Sequence, residues 1–126
     1  YGLMSVIYDK LNKKLTVEEN IKNAVLYINK NYNKNITLED VASHIFITPS
    51  YLSMLFKKVL NINFLNYLHR IRIEHACELL KSSNLKTYEI ARMVGYTDEK
   101  YFSQVFKKYM GTPPSSYKRS VNVQLL

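Results

Sequence analysis

The sequence predicts an all-α fold in which two similar helical units flank one long helix, and three observations carry that prediction. Apolar residues recur at helical spacing behind Thr, Asn and Asp residues that can cap helix starts. No stretch alternates strictly enough to compete as a strand. One helical pattern occurs twice, first at an offset of 49 residues and then at 50. A chain of 126 residues with 47% hydrophobic residues, three Gly and three Pro has enough apolar side chains to bury a core, and it suits one domain or two very small ones sharing a core.

The elements follow in order. Leu3, Val6, Ile7 and Leu11 suggest a short lead-in or linker helix within residues 1–15, broken at Asn12-Lys13-Lys14. Thr16 and Glu19 have capping-box spacing and open a helix of about four turns with Ile21, Val25, Ile28 and Tyr32 on one face. Thr37 caps a short helix carrying Leu38, Val41, Ala42 and Ile45. After a tight turn at Phe46-Ile47, Thr48-Pro49 starts a helix with Leu52, Leu55, Phe56 and Val59 inward, because proline at the first helical position forfeits no hydrogen bond. Asn63 opens the longest helix, whose inner stripe is Leu65, Leu68, Ile71, Ala76, Leu79 and Leu80; from Phe64 to Ser82 it spans roughly 28 Å.

The pattern then restarts. Thr87 caps a helix with Ile90, Ala91 and Val94, and Gly95 supplies a residue free to take positive φ. Thr97 or Asp98 caps a helix with Phe102, Val105, Phe106 and Tyr109 inward; Gly111 closes it, and Thr112-Pro113 starts a last short helix through Tyr117. The expected organisation is a lead-in over 1–15, a first unit with its linker helix over 16–84, a second unit over 85–120 and a tail over 121–126.

Eighteen Lys plus Arg against ten Asp plus Glu leave a formal charge of +8. Residues 1–48 contribute +1 of this and residues 49–119 contribute +7, so the excess lies in the C-terminal part. Such a surplus points to a polyanionic partner, nucleic acid first and an anionic membrane second. No apolar run reaches the roughly 18 residues that span a bilayer. Cys77 is the single cysteine, which excludes an internal disulfide and a CxxC metal site and fits a reducing cytoplasm. The start at Tyr1 lacks a signal-peptide pattern and reads as part of a longer protein.

The repeat narrows the partner class. Val41-Ala42, Ile45 and Thr48 match Ile90-Ala91, Val94 and Thr97 at an offset of 49, and Tyr51, Ser53, Phe56, Lys57, Lys58 and Tyr67 recur as Tyr101, Ser103, Phe106, Lys107, Lys108 and Tyr117 at 50. Each copy is a short helix, a turn and a second helix, the arrangement of a helix-turn-helix. A helical solenoid built for packing alone would repeat the apolar positions, but packing does not call for a matching Ser and a matching Lys-Lys pair on the polar face. Ala42 and Ala91 are small where the two helices of each unit must cross closely.

With those residues in view, the sequence resembles the AraC/XylS family of bacterial transcription regulators over residues 20–119. The most specific stretches are Ile90-Ala91-Arg92-Met93-Val94-Gly95-Tyr96, Tyr101-Phe102-Ser103-Gln104-Val105-Phe106-Lys107-Lys108 and Gly111-Thr112-Pro113-Pro114-Ser115-Ser116-Tyr117. Arg72 with Ala76, Leu79 and Leu80 is similar to the family's linking helix. Asn61 stands where many members have Gly, and Asn tolerates the left-handed conformation needed there.

The resemblance implies two recognition helices entering successive major grooves on one face of double-stranded DNA, about ten base pairs apart. On the first, Ser50, Ser53 and Met54 would face the groove and read permissively; on the second, Glu99, Lys100, Tyr101 and Gln104 are exposed, with Gln104 suited to adenine and Lys100 to guanine. Tyr101 could equally pack on its own unit. Lys57, Lys58, Lys107 and Lys108 are the expected phosphate ligands, with Lys118 and Arg119 as additions and Thr37 and Thr87 at helix starts whose N–H groups suit a phosphate. Arg72 is expected to pair with an acid within the fold rather than with DNA.

No residue set for catalysis or metal binding emerges, and no cofactor is expected. His69 and His75 are six apart, a spacing that does not stack two ligands on one helix face, and Cys77 diverges from His75, so all three read as fold residues. The resemblance further implies RNA polymerase as a partner and a sensor or receiver domain N-terminal to this one. The competing reading is a helical protein-interaction module; a membrane-surface bundle is disfavoured because the sequence has no strongly cationic amphipathic helix.

Overall fold

A computed structural model describes residues 16–125, and the expected lead-in helix lies outside them. All regular structure among the described residues is helical: α1 (Val17–Asn31), α2 (Leu38–His44), α3 (Pro49–Leu55) extended by a π-helical turn (Phe56–Leu60), α4 (Phe64–Ser82), α5 (Thr87–Met93), α6 (Glu99–Met110) and α7 (Pro114–Leu125).

Local hydrogen bonds explain most boundaries. The side-chain oxygens of Thr16, Thr37, Thr48 and Asn63 each accept from the backbone N–H three residues on, at 2.8–3.1 Å. Asp98 Oδ1 accepts from Lys100 N at 2.9 Å and starts α6, so Asp98 rather than Thr97 is the cap. Lys86, not Thr87, precedes the first turn of α5, and Glu89 Oε1 accepts from its N–H at 3.1 Å. Asn61 ends the π turn at φ 55° and Gly111 ends α6 at φ 80°, both left-handed. The last helix begins at Pro114 and runs to Leu125, well past the expected Tyr117.

The two units superimpose in chemistry as well as pattern. Ile47 N donates to Ala42 O at 3.0 Å, and Tyr96 N donates to Ala91 O at 2.8 Å. The turn residue before each takes positive φ, Phe46 at 63° and Gly95 at 109°. Because Thr48 and Asp98 are the matching caps, the extra residue of the second copy is Thr97, which corrects the pairing of Thr48 with Thr97.

Two cores flank the linker helix α4. The first packs Ala24, Ile28, Val41, Ala42, Leu52 and Phe56 against Tyr67, Leu68 and Ile71; the second packs Ile90, Ala91, Val94, Phe102 and Phe106 against Ile73, Ala76 and Leu80. Serving both, α4 buries a face that shifts along its length. Leu65 therefore lies outside the stripe and is 57% exposed. Val59 is exposed as well, because the wider π turn rotates the chain and brings Leu60 towards the first core instead.

Candidate nucleic-acid interface

Burial of one face of α3 and one face of α6 decides what the other faces present. In α3, Leu52 and Leu55 are buried, which leaves Ser50 and Met54 exposed and Ser53 half-buried. In α6, Phe102, Val105 and Phe106 are buried, and Glu99, Lys100, Tyr101, Gln104, Lys107 and Lys108 are exposed. Both exposed strips end in a lysine pair, Lys57-Lys58 on the π turn and Lys107-Lys108 on α6. Among the described residues none of these four lysines meets a carboxylate; the two ion pairs, Arg70–Glu74 and Lys81–Glu78, both lie on the linker helix.

Tyr101 packs within the fold and still keeps an exposed edge. Its ring lies edge-on to His69 and Tyr96, at 5.9 Å from each centroid, and its hydroxyl is 3.3 Å from His69 Nε2, yet the residue remains 46% exposed. His69 is buried and also meets the Tyr96 hydroxyl at 2.6 Å through Nδ1. A neutral imidazole has one donor and one acceptor nitrogen, which suits one tyrosine on each side. Sequence reasoning treated His69 as a fold residue only; its link to a candidate reading residue spans 32 positions and has no local signature.

Burial, then the charges of Arg72 and Lys108, pushes the His69 imidazole below its ordinary 6.5. The unfolded chain therefore takes up this proton first as pH falls. Stability from neutral His69 is present above about pH 6.5 and drains away below it. His69→Gln is expected to be less stable than the parent at neutral pH, with a gap that narrows on acidification, as urea midpoints would record; a gap independent of pH would contradict the linkage.

Two expected phosphate ligands, Thr37 and Lys118, are engaged within the fold. Thr37 N–H donates to Asp40 Oδ2 at 2.9 Å, so a carboxylate already sits at that helix start. Thr87 is half-buried inside the first turn of α5 rather than capping it. Lys118 Nζ donates to Ser83 O at 2.9 Å, tying α7 to the end of α4, because the last carbonyls of a helix lack internal partners. Arg119 is exposed and reaches only Ser116 Oγ at 3.4 Å. Arg72 does stay within the fold, but its partners are the carbonyls of Tyr32 and Lys34, not an acid. Cys77 is buried in the second core, and His75 stacks on Tyr32 at 4.0 Å.

An open cleft of about 280 Å³ separates α4 from α6, lined by Leu65, Asn66, His69, Tyr101, Gln104 and Lys108 among others. Tyr101, Gln104 and Lys108 of its wall belong to the strip that α6 exposes.

The sequence model of a family described as "Helix-turn-helix domain" matches residues 41–120. The C-terminal domain of AraT, a response regulator from Geobacillus stearothermophilus, is 43% identical, with a TM-score of 0.78 over 80% of this chain and 84% of that one. The chain belongs to the AraC/XylS family of helix-turn-helix DNA-binding domains. The lactose operon transcription activator of Staphylococcus xylosus is 38% identical over 98% of this chain but only 46% of its own length. The chain thus spans less than half of the curated relatives that it matches first. The AraC/XylS-type arrangement of two units on a linker helix is shared with the DNA-binding domain of AdpA, solved in complex with a target DNA, at TM-score 0.78 over 83% of this chain and 95% of that one; at 17% identity this is a likeness of fold.

Proposed function

We propose that this AraC/XylS domain binds double-stranded DNA sequence-specifically, with α3 and α6 in successive major grooves, and that it regulates bacterial transcription. The observation that carries the reading is the repetition of an exposed polar strip, closed by a lysine pair without carboxylate partners among the described residues, on both units of one linker helix. That helix, at roughly 28 Å, suits the roughly 34 Å between successive major grooves.

In this proposal Ser50, Ser53 and Met54 read one half-site loosely. Glu99, Lys100, Tyr101 and Gln104 read the other with more discrimination, since Gln104 can bond adenine through two hydrogen bonds. Lys57, Lys58, Lys107, Lys108 and Arg119 hold phosphates. Within a longer regulator the domain is the output part, acting in the cytoplasm and contacting RNA polymerase, under a sensor or receiver domain placed N-terminally. The AraT domain, the C-terminal part of a response regulator, supports that placement.

Selection from random duplexes is expected to enrich two short motifs about ten base pairs apart. Gln104→Ala should then cost roughly 1–3 kcal/mol on the enriched site and little on random DNA, while Lys107→Ala should lower the log–log salt slope by about one. Absence of any enriched motif, with binding indifferent to Gln104, would leave a protein-interaction module as the better reading.

A further inference from the structure

Each unit is packed onto its own stretch of α4, so the angle between the units depends on what joins the two cores across that helix. Arg72, on α4 between Ile71 of the first core and Ile73 of the second, supplies contacts to both sides. Its Nε donates to Tyr32 O at 2.7 Å and its Nη2 donates to Lys34 O at 2.9 Å, both in the first unit. Its guanidinium carbon lies 5.1 Å from the ring centroid of Tyr96, in the turn of the second unit. The side chain is only 8% exposed and meets no carboxylate among the described residues.

Physical chemistry explains why this position suits arginine. Tyr32 is the C-cap of α1, so its carbonyl lies at the negative end of the helix dipole and lacks an intrahelical donor. A planar fork can bond two carbonyls with its edge while an aromatic ring lies near it. Gly95 completes the junction: a Cβ there would stand 2.9 Å from Arg72 Nε and 3.0 Å from Tyr32 O, so the second turn abuts both. The Tyr32 side chain packs against both cores. From Tyr96 the chain of contacts continues through His69 to Tyr101 on α6.

We propose that Arg72 is a positioning residue that locks the two units into one rigid body, setting the angle between α3 and α6 and thereby the half-site spacing that the domain accepts. Rotating the second unit about α4 would break the carbonyl bonds or the contact with Tyr96, so spacing is read by the fold and not by any base contact. The proposal rests on the DNA-reading function above.

The test uses the enriched site with its spacer lengthened or shortened by one base pair, which turns one half-site by about a tenth of a helical turn. The parent domain should prefer the native spacing by about tenfold or more, equivalent to about 1.4 kcal/mol. Arg72→Lys, which keeps the charge but loses the fork, and Arg72→Met, which keeps most of the volume, should bring that ratio to about threefold or less while base preferences within each half-site stay unchanged. A second readout needs no DNA: backbone residual dipolar couplings should fit one alignment tensor for the parent and two for the variants. Folded variants that keep the parent's spacing ratio and a single tensor would overturn the proposal. So would loss of cooperative folding in both variants, which would make Arg72 a core residue and not an orienting one. If the parent itself shows no enriched site, the DNA-reading function has failed, and the dipolar couplings still decide whether Arg72 orients the units.

Discussion

Phe106→Ala is expected to destabilise the domain by about 3–5 kcal/mol, the range for deleting a fully buried aromatic side chain. Phe106 is completely buried, and its ring lies 5.9 Å from Phe102 and 5.6 Å from Tyr117, each at a steep angle. Phe102 in turn lies 5.4 Å from Tyr96. The series Tyr96, Phe102, Phe106 and Tyr117 thus joins the second turn, α6 and α7. Removing a middle ring leaves a void that rigid neighbours cannot close, and lost contacts on both sides add to the transfer cost. Against a total stability of about 5–15 kcal/mol, the loss is large enough to depopulate the second unit and weaken any DNA binding through α6. Urea unfolding followed by circular dichroism would measure it, with Met110→Ala, on an exposed residue, expected within about 0.5 kcal/mol of the parent. A loss near 1 kcal/mol at Phe106 would mean that the second core relaxes around the gap.

Gly95→Ala should cost about 2–4 kcal/mol, combining backbone strain with a weakened bond at the Arg72 junction. At φ 109° an L residue is strained whatever its surroundings, and here the added Cβ also meets Arg72 Nε and the carbonyl of Tyr32. Gly111 separates the two contributions, since at φ 80° an added Cβ meets nothing within 4 Å. Gly111→Ala carries the backbone strain alone and should cost about 1 kcal/mol, clearly less than the change at Gly95. Equal losses at the two sites, read as thermal or urea midpoints, would show that the contact with Arg72 contributes nothing.

Helix starts and ends were legible in the sequence because the interactions that make them span three or four residues. Thr16, Thr37, Thr48 and Asn63 cap as their positions predict, and Asn61 and Gly111 take the left-handed conformation. The errors are of another kind. Val59 and Leu65 follow helical periodicity yet are exposed, one because a π turn changes the local period and the other because α4 serves two cores. Thr87 looks like a cap, but the carboxylate of Glu89 satisfies the N–H of Lys86 one residue earlier.

The candidate interface divides the same way. By itself the sequence determined that the fold is all-α, that it holds two matching helix-turn-helix units, and which strip of each second helix faces away from the core. All three follow from periodicity and short-range capping, which a linear chain records directly. Only the tertiary structure decided that Lys118 is tied to Ser83, that Tyr101 rests on His69, and that Arg72 reaches back 40 residues to Tyr32 O while facing Tyr96. Those contacts join segments far apart in sequence, and a lysine or arginine bonded to a backbone carbonyl leaves no partner residue type for the sequence to reveal.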